Sequence, residues 1–234
     1  MDGVIVDSEI WWDEVRSTFA AAHARTWTAA DQAAVMGANS PGWARIMRER
    51  LELDISETAI ERAIVDGVAD RYRREGAPLI DGAIDAIRRI AATLPVAIAS
   101  SSHAEVIEEA LAATGLGDVF RVVVSSDEVA HGKPAPDVYL EAARRLGISP
   151  AACLVVEDSY NGVRAGAAAG MFVVLVPNRS VPPAHGTSEL ADLVLPRLAD
   201  LDPGRIDPVG HRSVAGGGSG PVAGGPAPAA GGSG

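Results

Sequence analysis

Leu154-Val155-Val156-Glu157-Asp158-Ser159-Tyr160-Asn161-Gly162-Val163-Arg164-Ala165-Gly166-Ala167-Ala168-Ala169-Gly170-Met171-Phe172-Val173-Val174-Leu175-Val176 sets two apolar runs on either side of a helical segment of small residues. Neither run alternates polar with apolar, so both read as strands covered on both faces. A helix joining two such strands implies a parallel crossover. Working upstream, Val122-Val123-Val124 precedes a helical pattern over 136–146 with Pro136 near its first turn. Val96-Ala97-Ile98-Ala99 precedes another over 105–114, with Val106, Ile107, Ala110 and Leu111 on its apolar face and Gly115 at its end. The expectation is an α/β fold: a parallel sheet with helices on both faces, and a ligand site beyond the carboxyl ends of the strands.

Residues 9–77 read differently, with no convincing strand. Trp11, Val15, Phe19 and Ala22 fall on one helical face, as do Ile60, Ile64, Val68 and Tyr72, and Thr28 and Ser56 suit N-caps. This stretch is expected to form an all-helical cap inserted into a core made of residues 1–8 and 78–203. Residues 204–234 are expected to be a disordered Gly/Pro/Ala-rich tail. Its last twenty positions hold nine glycines and three prolines, too little apolar surface to offset the entropy of ordering them.

Composition narrows the class. The 234 residues are 47% hydrophobic, enough for a core, and no apolar run approaches the ~20 residues of a membrane span. Twenty basic against 31 acidic side chains leave a net charge of −11, a field that repels nucleic acid and anionic lipid. The single cysteine, Cys153, excludes an intrachain disulfide and reads as a small core residue. A soluble, cytoplasmic protein of undetermined oligomeric state is expected, with neither nucleic acid nor membrane as partner.

Polar residues recur at the strand ends. The chain opens Met1-Asp2-Gly3-Val4-Ile5-Val6-Asp7-Ser8-Glu9; Ser100-Ser101-Ser102 follow the first core run, Gly132-Lys133-Pro134-Ala135-Pro136-Asp137 the second, and Glu157-Asp158-Ser159 the third. Gathered on one sheet edge, these put carboxylates, hydroxyls and an ammonium in one cleft. Adjacent carboxylates after a buried strand are costly without a cation, and oxygen donors suit Mg²⁺. Lysine and hydroxyls beside that ion suit a phosphoryl group.

In this order DGVIVDSE, ASSS, GKPAPD and EDSYNGVRAGAAAGM resemble the motifs of the haloacid dehalogenase superfamily, in its phosphatase and β-phosphoglucomutase-like branch with a helical cap. The resemblance covers roughly residues 1–201 and implies a Rossmann-like core. It implies that Asp2 is the general acid and base, with its main-chain carbonyl on Mg²⁺. It implies that Ser100 and the Ser101 amide hold phosphoryl oxygens, that Lys133 bridges nucleophile and phosphate, and that Asp158 and Glu157 bind the metal. The implied activity is Mg²⁺-dependent hydrolysis of a small phosphorylated metabolite, with phosphomutase and non-catalytic phospholigand binding as alternatives. Against the mutase, its cap arginine is matched by Ser40 and its cap histidine by Trp12.

Blander roles compete for some positions. Ser102 is expected to cap the helix after it, Asp7 and Ser8 to cap the first cap helix, and Arg45 and Arg48 to form a solvated face. One departure matters. The family motif is Asp-x-Asp-Gly after an apolar strand, and Met1 occupies the x position, so the nucleophilic aspartate is expected upstream of Met1. The alternative is a truncated chain that binds phosphate and Mg²⁺ without a covalent step. Without the preceding strand, two inner strand edges are expected to lie exposed.

Overall fold

A computed structural model describes residues 1–36 and 38–206. Most of the expected tail therefore lies outside the described residues; 203–205 form a single 3-10 turn. In chain order the elements are α1 (Glu9–Ala22), α2 (Ala29–Val35), α3 (Ser40–Arg50), α4 (Glu57–Glu75), α5 (Ala83–Ala91), β1 (Ala97–Ser100), α6 (Ala104–Thr114), β2 (Val122–Ser125), α7 (Asp137–Leu146), β3 (Leu154–Glu157), α8 (Tyr160–Ala168), β4 (Phe172–Leu175) and β5 (Leu193–Val194). Local chemistry sets the boundaries. Gly115 and Gly147 end α6 and α7 in the left-handed region, and Thr28 and Ser56 cap α2 and α4 with their hydroxyls.

Every paired strand is parallel, as the βαβ pattern requires, but the sheet is in two blocks. β1 pairs with β2, Ala97 opposite Val122, while β3, β4 and β5 form a second ladder in that order. Val155, Val173, Val174 and Val124 are buried within these blocks. An apolar cavity of about 440 Å³ separates β1 from β3, lined by Ile98, Val155, Tyr139 and Leu201 among others. Each facing edge has no sheet partner among the described residues. Met1, Val4 and Ile5 line this gap but form no strand within it, because Met1–Val6 are folded on themselves: the Ile5 amide donates to the Met1 carbonyl at 2.8 Å and the Gly3 amide to that of Val6 at 2.8 Å.

The helices α1–α4 stand over the carboxyl ends of the strands. α4 buries Ile60, Ile64, Val68 and Tyr72, the expected stripe. α1 differs from expectation: its buried residues are Trp12, Arg16 and Ala20, and Trp11, Val15 and Phe19 are only partly covered. The two chain crossings between cap and core run together, with the Asp7 amide on the Pro78 carbonyl (2.8 Å) and the Ile80 amide on that of Ile5 (3.0 Å). Arg73 of α4 reaches Glu105 (3.1 Å) and Glu109 (2.8 Å) of α6, and the Ser40 amide donates to Asp127 (2.9 Å). These contacts hold the cap against the core.

Candidate active site

The four polar strand ends meet in one cavity of about 490 Å³, roofed by the cap. Its walls include Asp2, Ser100, Ser101, Ser102, Lys133, Glu157 and Asp158 from the core and Glu9, Trp12, Arg16 and Trp43 from the cap. All the residues singled out from the sequence for catalysis, phosphate and metal are therefore brought together.

Asp2 is held from both sides. One carboxylate oxygen accepts from the Ser8 hydroxyl and the other from the Ser102 hydroxyl at 2.8 Å. Neither serine has its expected capping role. His103 caps α6 through Nδ1, which accepts from the Glu105 amide, and Ser8 makes no side-chain cap bond to α1. Asp7 instead accepts from Asn178 and Ser180. Sequence alone does not show this, because a serine just before a helix looks the same whether its hydroxyl turns to the helix or to a carboxylate 100 residues away.

Ser100, buried at the end of β1, accepts the Ser102 amide at 3.2 Å and so shapes the loop that presents Ser101 to the cavity. Lys133 Nζ donates to the Ala99 carbonyl (3.2 Å) and to Glu157 Oε1 (2.6 Å), spanning the carboxyl ends of β1 and β3. The Tyr139 hydroxyl donates to the same oxygen, and the Ser159 hydroxyl donates to Oε2 at 3.0 Å. Burial pushes the Glu157 carboxyl up, but Lys133 and Tyr139 outweigh it and hold the group below the usual carboxylate range. Glu157 is therefore the counter-ion of Lys133. Gly162 is needed beneath it, since a Cβ there would overlap the Glu157 carboxylate. Tyr139 was not singled out from the sequence.

Asp158 faces the Asp2–Gly3 backbone. Gly3 has φ +72°, and a Cβ on it would overlap the Asp158 carboxylate, so only glycine lets the two segments approach. Burial, then the Glu157 charge, push the Asp158 carboxyl well above the usual carboxylate range. No side chain donates to it among the described residues. An acidic group this desolvated beside a turn of backbone offers oxygen donors to a hard cation. No cluster of three or more His, Cys, Asp or Glu side chains forms a ready metal site among the described residues. The donor set fits Mg²⁺, which keeps several waters and needs only one or two carboxylates.

Glu9, at the start of α1, also faces the cavity; burial and then Asp2 push its carboxyl up to about 7.

Comparison with known proteins agrees with this fold. The haloacid dehalogenase-like hydrolase family model matches residues 1–170, and the chain belongs to that family. It is 36% identical over 210 residues to a probable pseudouridine-5'-phosphatase of Drosophila melanogaster, covering 87% of this chain and 89% of that protein. It is 34% identical over 182 residues to a fructose-1-phosphate phosphatase of Escherichia coli, covering 74% and 92%. It is also 30% identical to a bifunctional riboflavin kinase/FMN phosphatase of Arabidopsis thaliana, of which it spans 52%. A β-phosphoglucomutase from Clostridium difficile superposes with a TM-score of 0.77 at 18% identity, over 92% of this chain and 96% of that one, and so shares the fold. No helix among the described residues is long and apolar enough to cross a membrane.

Proposed function

We propose that this hydrolase is a cytoplasmic, Mg²⁺-dependent phosphatase of small phosphorylated metabolites, sugar phosphates among them. The observation that carries the proposal is the meeting of Asp2, Ser100, Ser101, Lys133 and Asp158 in one cavity beneath the cap. Relatives whose names specify phosphorylated sugars or nucleosides support the substrate class.

Asp158 and the Asp2 carbonyl would hold Mg²⁺, which when bound neutralises charge on the phosphoryl oxygens. Lys133 supplies a second positive charge there, fixed in place by Glu157. Glu157 itself, named with Asp158 as a metal residue, serves the metal through this electrostatic setting and has its Oε1 occupied by Lys133 and Tyr139. Ser100 and the Ser101 amide orient the phosphate. Asp2, locked by Ser8 and Ser102, gives a proton to the departing ester oxygen and takes one from the water that releases phosphate. The attacking carboxylate of the family stands two positions before Asp2.

The test compares the chain from Met1 with one extended upstream by an apolar strand ending in aspartate, using p-nitrophenyl phosphate and Mg²⁺. The extended chain is expected to turn over, and the chain from Met1 to bind phosphate with turnover lower by several orders of magnitude. An extended chain that binds phosphate yet never hydrolyses it would favour a phospholigand-binding protein. For the mutase reading, Ser40 offers no cation: it is buried and its amide is bonded to Asp127.

A further inference from the structure

The cap side of the cavity holds a cation that the phosphatase chemistry does not use. Arg16 is 5% exposed on the inner face of α1. Its guanidinium carbon lies 5.1 Å from the Trp12 ring centroid and 5.6 Å from that of Trp43, and the two indoles meet edge to face at 6.4 Å. Nη1 donates to Gln32 Oε1 at 3.1 Å, its one hydrogen bond among the described residues. Nε is buried without a partner. No carboxylate among the described residues lies within 4.0 Å of the guanidinium; Glu9 and Asp13 act on it only at longer range. Burial pushes Arg16 down to about 10, so it remains a cation at neutral pH.

A desolvated guanidinium without an ion-pair partner is costly. Cation–π contact with two indoles offsets part of that cost and leaves the planar donor set unfilled. Arg16, Trp12 and Trp43 line the same cavity as Asp2, Lys133 and Asp158. An anion entering from the core side is the complement this arrangement lacks.

We propose that Arg16, clamped between Trp12 and Trp43, binds a second oxyanion on the phosphorylated substrate, either a carboxylate or a second phosphate, and so selects doubly anionic substrates. The inference rests on the phosphate site of the preceding subsection and adds the chemistry of the far end of the substrate. The indoles exclude water from the guanidinium, which strengthens bidentate pairing with an oxyanion. They also report on it, because two of the chain's four tryptophans touch the group in question.

The experiment is a tryptophan-fluorescence titration of the full chain with Mg²⁺ present. The probes are inorganic phosphate, fructose 1-phosphate, fructose 1,6-bisphosphate and 3-phosphoglycerate. The bisphosphate, the phosphoglycerate or both are expected to bind about tenfold or more tighter than fructose 1-phosphate, and which of them does so distinguishes phosphate from carboxylate. R16Q is expected to bring that ratio close to one, and R16K, which keeps the charge but loses the fork, to retain part of it. An unchanged ratio in R16Q overturns the proposal. So does an equal loss for every probe, which would mark Arg16 as structural; thermal melts of both variants identify that case. A wild-type chain that does not bind even inorganic phosphate overturns the phosphate site itself, and this inference with it.

Discussion

Lys133 Nζ lies 2.6 Å from Glu157 Oε1, with both side chains less than a tenth exposed. The segment after β2 and the last residue of β3, from opposite sheet blocks, are thereby joined by one buried ion pair, in a fold whose β1 and β3 do not pair with each other. Truncating Lys133 to alanine strands the Glu157 charge in the interior. K133A is expected to lose about 3–5 kcal/mol of stability, read from the urea midpoint, along with inorganic phosphate binding. Adding E157Q to K133A should recover part of the stability but none of the phosphate affinity. Equal stability of K133A and wild type would show that the pair is not buried as described.

Gly3 and Asp158 make the second test. Because a side chain at Gly3 would overlap the Asp158 carboxylate and the backbone is left-handed there, G3A is expected to cost about 1–3 kcal/mol. Calorimetric Mg²⁺ binding should be lost at the same time. G76A, also at positive φ but with open space around it, should cost strain alone and leave Mg²⁺ binding intact.

Glu9 links stability to pH. Its folded carboxyl sits at about 7 against an ordinary 4.5, so the folded state binds the proton more tightly than the unfolded one. Its unfavourable contribution is therefore absent below about pH 4.5, grows as pH rises to about 7, and is constant above that. In metal-free protein, E9Q is expected to match wild type at pH 4 and to be more stable at pH 8, by an amount on the order of 3 kcal/mol. Denaturant midpoints across that range measure it; a difference that shrinks as pH rises contradicts the assignment.

Asp158 couples Mg²⁺ to protons. With its carboxyl raised by burial and by Glu157, binding a cation must displace a proton near neutral pH. Mg²⁺ affinity is expected to rise from pH 6 to pH 8, and the apparent binding enthalpy to vary with the ionisation enthalpy of the buffer. D158N should remove both the binding and the buffer dependence.

Much of the site was legible from the chain. The runs 96–99, 122–124 and 154–156, which form β1, β2 and β3 to within a residue at each end, were readable because continuous apolar, largely β-branched runs suit a doubly covered strand. Their polar sequels then share one sheet edge, and it is the resemblance to the haloacid dehalogenase motifs that singles out Asp2, Ser100, Lys133 and Asp158 among them. The buried face of α1 was not legible. Trp11 and Trp12 are adjacent and point about 100° apart on a helix, so periodicity admits either face. Choosing Trp12 and Arg16 took the actual packing against Trp43.

The amino-acid sequence by itself determined the alternation of strands and helices, their ends, and the chemical identity of the groups at the sheet edge, because these follow from side-chain polarity and backbone preference within a few residues. Tertiary structure decided which groups meet. It gave Asp2 the Ser8 and Ser102 hydroxyls, made Glu157 the partner of Lys133, buried Arg16 between two indoles and split the sheet around an apolar gap. Those outcomes depend on distances between segments up to about a hundred residues apart, and on how desolvation is offset where they touch, which no local pattern encodes.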